Sequence, residues 1–543
     1  MTDAPHLQAL LDDCVAWYFD NHPIAASAAG ADGFDDALGD FSAAGFQRRE
    51  QDRDRWLSRF EAVPVDGLGL DDTINRDLLI SHLRGERVMA EWQHWRRDPT
   101  AYVSPVFSAL YLPFLHRMRP ESELVAGVAA RLATVPEVFA ACRANIDPAL
   151  APPLLARRAL DQASAGRRFV TETLPAEVTD DSLRAELASA AAPAAEAFDD
   201  IAAFLTDLAE QASGDWRLGE HLYSRLLQER ELLGMDTQEL HRLGRLAWDA
   251  LNTEMTELAA RLSGTDGEGW RQAVRLLAED HAPDLEAMRT EYAAETARAR
   301  RFLDERGLVS FADGESCRVV PSPAFQRPLF AVAFYISAPP LTPSRVGHFF
   351  TPYTPDGAPA EQVRQRLRSN YRAQMPTTAV HEAYPGHHWH LSWMAGSPHT
   401  VRKLFRTSYF SEGWALYTET MMREQGYFLE LQHELAHLQA RIFRAARMVV
   451  DTALHSGEMS IEQAERFMVD KGGLNPATAA TEVNRYCSWP TQAPSYLTGS
   501  LQVERMCADY LSAGRGDLRS FHDRLAGSGS LPLGLARRAV LED

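Results

Sequence analysis

Apolar positions recur at three- and four-residue steps along most of the chain, and few stretches alternate at period two. That pattern predicts helix after helix and a mainly α fold. From residue 6 to about 215 the runs break at Asn21-His22-Pro23, between Gly30 and Gly39, between Pro64 and Gly69, at Pro120 and at Pro152-Pro153. These breaks have the composition of bundle connections. An Ala-rich run from Ala185 to Ser213 closes at Gly214-Asp215, which sets a boundary between an N-terminal helical lobe, 1–215, and a second lobe, 216–543. In the first lobe Trp17, Tyr18, Trp56, Trp92, Trp95, Tyr102 and Tyr111 suit core and cleft-wall positions.

In the second lobe, Asp236-Thr237-Gln238-Glu239 has the form of a capping box, opening a helix whose Leu240, Leu243, Ala247, Leu251, Met255, Leu258 and Leu262 share one face. Another helix is expected over 284–306. Leu329 to Ile336, bounded by Pro328 and Pro339-Pro340, is the one convincing strand region. It reads as a small β-hairpin or short sheet, either purely structural or able to pair with an extended peptide backbone. Phe428 to His455 is a long helical run with Leu431, Leu435, Leu438, Ile442, Ala445 or Ala446, and Val449 on its apolar side.

At 543 residues the chain is too long for one simple core and suits a large two-lobed helical protein. A net charge of -20, with no dense Lys/Arg run, argues against nucleic acid or an anionic membrane surface as partner. No stretch reaches about 18 apolar residues without charges, as a membrane-crossing helix needs. The N-terminus, Met1-Thr2-Asp3-Ala4-Pro5-His6, lacks the basic-then-apolar order of a signal peptide. Cys14, Cys142, Cys317, Cys487 and Cys507 are odd in number and scattered, as expected of reduced thiols in a cytoplasmic protein.

Chemistry concentrates in Thr377-Thr378-Ala379-Val380-His381-Glu382-Ala383-Tyr384-Pro385-Gly386-His387-His388. In a His-Glu-x-x-His helix two imidazoles one turn apart face one zinc ion, and the adjacent Glu takes a proton from water. Here Pro385 holds the place of the second ligand. On an undistorted helix an offset of seven returns to the same face but about 10.5 Å along the axis, and an offset of six points elsewhere. A bulge at Pro385-Gly386 absorbing two residues would bring His387 to the ligand position, with His388 as the alternate ligand or a nearby donor. Glu412, 25 residues beyond His387 on a second helix, is the candidate third ligand, or else an acid favouring its helix dipole. Glu382 is the candidate general base.

Two further segments carry candidates. Tyr486 and Tyr496 are possible donors to the oxyanion of an attacked carbonyl. Arg485 either binds a substrate carboxylate, with His388 and Gln492 beside it as substrate contacts, or pairs with Glu482 three residues earlier. His433-Glu434-Leu435-Ala436-His437 is a literal His-Glu-x-x-His, but it lies at the border of the apolar stripe in the long helix. It reads as a chance match among 18 histidines; were it the metal site, Glu412 or Glu458 would complete it.

The run His381 to His388, followed by Glu412-Gly413-Trp414-Ala415-Leu416-Tyr417 and by Glu482-x-x-Arg485-Tyr486, resembles the bacterial domain of unknown function 885 family. That family is similar to gluzincin metallopeptidases such as thimet oligopeptidase, angiotensin-converting enzyme and carboxypeptidase Taq. The resemblance implies a two-lobed helical zincin-like fold with its small sheet beside an active-site cleft, and one Zn2+ held by two His and a Glu. The expected function is hydrolysis of amide bonds in short peptides, of carboxypeptidase or oligopeptidase type. A catalytically inactive peptide- or metal-binding protein of the same shape is the alternative.

Overall fold

The computed structural model describes residues 4–263, 269–327 and 332–542. The chain divides into two compact units, Met1–Trp216 and Arg217–Asp543.

The first unit is helical throughout its described length. Helices at Ala4–Asn21, Pro23–Ala29, Ala43–Glu61, Leu70–Glu91, Thr100–His116, Glu121–Asn145 and Ala192–Gln211 make up most of it. Their ends fall where Pro and Gly interrupt the apolar period. Ser42 caps one of them, its hydroxyl accepting from Gly45 N at 3.1 Å. Glu121–Asn145 is long and apolar enough to cross a membrane. Within the unit it serves as a core helix, with Val125, Val128, Leu132, Val135 and Phe139 buried. Its Arg131 is buried too, and tolerably so, because the guanidinium donates to the carbonyls of Phe34, Ala37 and Ala109. The tryptophans pack internally: Trp17 lies 6.1 Å from Trp56, and Trp95 stacks on Phe46 at 5.1 Å.

In the second unit the elements that matter for the site are α1 (Thr237–Ser263), α2 (Leu285–Arg306), β1 (Ser316–Pro321), β2 (Phe334–Ile336) and β3 (Val346–Thr351). They are followed by α3 (Met375–Glu382), α4 (His387–Met394), α5 (Ser408–Glu424), α6 (Leu431–Ser456), α7 (Pro476–Ser488) and α8 (Ser495–Ser512). Asp236 caps α1, accepting from Glu239 N at 2.8 Å. Asp284 caps α2, accepting from Ala287 N at 2.8 Å.

The sheet has three strands in the order β1-β3-β2, with β1 parallel and β2 antiparallel to β3. Phe334 stands opposite Phe350 and Ile336 opposite His348. Of the strand expected over 329–336, only Phe334–Ile336 is a strand; Leu329, Phe330 and Ala331 lie outside the described residues. The parallel partner β1 was not expected, since Ser316-Cys317-Arg318-Val319 alternates over only four residues. Tyr335 folds across Gly347, where a Cβ would lie 1.8 Å from the phenol oxygen. A side chain at 347 would displace that ring.

Helix α6 runs through the middle of the unit. From Ala445 to His455 every residue is buried, so the single stripe expected from the sequence is replaced by burial on all sides. α1 lies along α6 at Gly244, where a Cβ would come within 2.7 Å of Met448 Cβ. α5 and α8 approach each other more closely still. A Cβ on Gly413 would sit 2.4 Å from Gly499 Cα, so this pair of glycines lets the two backbones touch.

Candidate metal centre

The helix carrying the first histidine stops at Glu382, and a new one starts at His387. A bulged continuous helix is therefore replaced by two helices joined through Ala383-Tyr384-Pro385-Gly386. Pro385 explains the stop, because it has no N–H to continue the ladder and its ring clashes with the preceding turn. Gly386 explains the tightness of the join. Its N–H donates to Val380 O at 3.0 Å, and a Cβ there would lie 1.9 Å from His381 O. Trp414 of α5 pins the same turn through Nε1 to Pro385 O at 2.8 Å.

This fold-back sets His387 beside His381, their rings perpendicular with centroids 4.9 Å apart. Thr407 caps α5, its hydroxyl accepting from Tyr409 N at 3.0 Å. That cap starts α5 in a frame where Glu412 faces both imidazoles. Glu412 Oε2 lies 3.5 Å from His381 Nε2 and 3.3 Å from His387 Nε2. Among the described residues this is the group of His, Cys, Asp and Glu able to share one metal ion, with ligand atoms all within 4.8 Å.

The set fits zinc on its own geometry. Glu412 Oε2 is buried and makes no hydrogen bond, although two imidazole nitrogens stand near it. Ligands about 2.0 to 2.1 Å from a tetrahedral zinc are separated by roughly 3.3 to 3.4 Å. The two separations measured from Glu412 Oε2, 3.5 and 3.3 Å, match that spacing. His388, the alternate ligand, is engaged at both nitrogens. Its Nε2 meets Glu315 Oε2 at 2.7 Å and its Nδ1 meets the Tyr335 hydroxyl at 2.9 Å. Of the two, His387 is the one that faces Glu412, and His388 is a strut between α4 and the sheet.

Glu419 was absent from the candidate set and belongs in it. It lies seven residues after Glu412, two turns along the same face of α5, and that spacing was its signal. Its Oε1 holds His381 Nδ1 at 2.8 Å, which leaves Nε2 to face the centre. Its Oε2 accepts from the Thr377 hydroxyl at 2.5 Å and meets His437 Nδ1 at 3.3 Å. Burial alone would lower His381, but Glu412 and Glu419 outweigh it and push the imidazole up to about 9. Burial would raise Glu412, yet His387 and His381 hold its carboxyl well below the usual range. Glu382 is 8% exposed, and burial pushes its carboxyl above the usual carboxylate value despite the imidazoles beside it.

The remaining candidates separate into near and far. Tyr496, at the start of α8, stacks on His381 with centroids 6.2 Å apart. The Gly413–Gly499 contact is what brings that end of α8 against α5. Tyr486 is not at the centre: its phenol donates to Glu482 at 2.8 Å and accepts from Arg447 Nε at 3.0 Å. Arg485 pairs with Glu482 at 2.9 Å and donates to the Gln492 side-chain oxygen. Gln492 Nε2 in turn lies 3.5 Å from the Tyr496 hydroxyl. Both therefore support Tyr496 from behind.

Among solved structures, a "putative lipoprotein of unknown function" from Shewanella oneidensis matches with TM-score 0.80 and 22% identity over 100% of both chains. A "putative lipoprotein" from Colwellia psychrerythraea matches with TM-score 0.78 and 16% identity over 99% of both chains. These likenesses establish the fold. No curated protein matches the chain. The family model for bacterial proteins of unknown function, DUF885, matches residues 23–540, and the protein belongs to that family.

Proposed function

We propose that the protein is a zinc-dependent hydrolase of amide bonds in short peptides, with a gluzincin-like site. The observation that carries this reading is the convergence of His381 Nε2, His387 Nε2 and Glu412 around one point, with the buried carboxyl of Glu382 directly after the first of them. A zinc ion held there would supply Lewis acidity, polarising an amide carbonyl and acidifying a water.

The chain's own groups do the rest. Glu382, its basicity raised by burial, accepts the proton of the attacking water and delivers it to the leaving amine. Burial keeps the Tyr496 phenol protonated, so it can donate to the oxyanion as the carbonyl becomes tetrahedral. Glu419 holds the His381 ring in the tautomer that points Nε2 inward. The interrupted helix favours the second reading, a binding protein of peptidase shape. The description of both solved relatives as lipoproteins favours an envelope location over the cytoplasmic one suggested by the cysteines.

Turnover of a mixed peptide library by the zinc-loaded protein tests the proposal. Cleavage that stops with a chelator, returns with zinc and falls sharply in Glu382→Gln supports it. A stoichiometric zinc protein that cuts nothing in the library leaves the binding-protein reading in its place.

A further inference from the structure

Three guanidinium groups, those of Arg444, Arg447 and Arg485, gather near Tyr496, and one carboxylate pairs with two of them. Glu482 is shared, at 2.7 Å from Arg447 and 2.9 Å from Arg485. Asp451, the other buried acid nearby, gives its Oδ2 to the Tyr223 hydroxyl at 2.5 Å and to Thr491 N at 3.1 Å instead. Arg444 has no carboxylate partner among the described residues. Its Nη1 donates to Ala440 O at 3.1 Å, within its own helix, while its Nε is buried with no partner at all. A buried guanidinium N–H left unmade is costly, and such groups are normally satisfied by protein or ligand.

Arg444 also stands in the right place. Its guanidinium lies over the ring of Tyr496, 5.4 Å from the centroid, and His381 stacks on that ring at 6.2 Å. Arg447 lies over the same ring, at 4.7 Å from its centroid. On α6, His437, Arg444 and Asp451 follow at seven-residue steps and so share one face of the helix.

We propose that Arg444 is the carboxylate anchor of the substrate site, binding the free carboxylate of a peptide whose scissile bond lies one residue away at the metal centre. This rests on the hydrolase reading and narrows it to peptides cut near a free carboxylate. Arg485, already committed to Glu482 and Gln492, is not the anchor.

The probes are acetyl-Ala-Ala-Ala, its C-terminal amide, and acetyl-Ala-Ala-Asp amide, which moves the carboxylate to a side chain. In the zinc-loaded parent, kcat/KM for the acid should exceed that for the amide by roughly ten- to a hundredfold, as a charge-assisted bidentate pair supplies. Arg444→Gln should bring that ratio near one, chiefly through KM, while Arg444→Lys keeps part of it and Arg485→Gln keeps most. Calorimetry on the zinc-loaded Glu382→Gln protein, with and without Arg444→Gln, reads the same preference without turnover. Tighter binding of the acid that vanishes with Arg444 supports the anchor even if the parent cuts nothing, an outcome that sinks only the hydrolase reading. Cleavage of acid and amide at equal rates overturns the anchor and leaves the hydrolase standing, whatever the variants do. A preference extended to the Asp amide assigns the site to carboxylates of either source; one that follows Arg485 instead of Arg444 overturns the assignment.

Discussion

The interrupted run from His381 to His387 and the compact run His433-Glu434-Leu435-Ala436-His437 each offer two imidazoles and a carboxylate. In the first, both imidazoles present Nε2 to Glu412. In the second, Glu434 turns away to Arg423 at 3.0 Å, His437 gives Nδ1 to Glu419, and its Nε2 has no partner beside the Phe428 ring 5.6 Å away. His433 is only partly buried. A metal site needs three lone pairs aimed at one point with room between them, and helical spacing supplies at most two. The third comes from another element, so the run with the poorer spacing has the better site.

The sharpest way to break this contrast is to remove a ligand from each run. His381→Ala or Glu412→Ala should take zinc content from about one per chain to none, whereas His433→Ala and His437→Ala should keep it, by elemental analysis of purified protein. Full zinc in His381→Ala with none in His437→Ala would reverse the assignment. Next in size is the base: Glu382→Gln should retain zinc and lose about 10² to 10⁴ in kcat, measured on any peptide the parent cuts. Parent-like turnover in that variant would remove Glu382 from the mechanism.

Glu419 touches both runs and so sharpens the comparison. Glu419→Gln should weaken zinc binding by about ten- to a hundredfold in competition with a chelator, as loss of a carboxylate behind a ligating imidazole does. An unchanged affinity would mean that His381 is oriented by packing alone. A pH series adds a smaller effect. The folded His381 titrates near 9 against an ordinary value of 6.5, so its protonated form stabilises the metal-free protein fully below about 6.5. That contribution is lost as pH rises through about 9. Zinc must displace the same proton, so its affinity should climb between those values by up to about tenfold per pH unit. A flat affinity over that range would show that the proton is not held there. Smallest is His433→Ala, which should move the unfolding free energy by no more than about 0.5 kcal/mol in denaturant titration.

Much of the centre could be read from the letters. His381, Glu382 and Glu412 followed from residue type and spacing, and the Pro-Gly pair marked where the helix would be disturbed. Whether His387 or His388 would face Glu412 could not follow from periodicity. It depends on where α4 restarts, and that is set by Gly386 closing on the carbonyls of Val380 and His381. Tyr486 and Tyr496 looked equivalent in the sequence and were separated by the meeting of Gly413 with Gly499, a contact between segments 86 residues apart. Arg485 drew attention as a possible partner for a substrate carboxylate and is instead paired with Glu482, while Arg444 lies in a helix read only for its apolar stripe. The fold class was legible for the same reason the strands were not: helical period repeats over many turns, and three- to six-residue strands give almost no period to read.

The four-residue join between α3 and α4 changes what sets the bite of the two histidines. In a continuous helix the separation of two ligands is a property of helical pitch and is the same in any protein. Here His381 rides on a helix whose end is closed by the Gly386 turn, whereas His387 rides on one docked by its own contacts. His388 ties α4 to Glu315 and Tyr335, Trp389 Nε1 donates to Ser310 O at 2.7 Å, and Trp393 Nε1 donates to Asp523 O at 3.0 Å. The two ligands are therefore mounted on separate supports. Their spacing is exposed to substitutions in the sheet or near residue 523 that touch neither histidine, a dependence that a one-helix motif does not have.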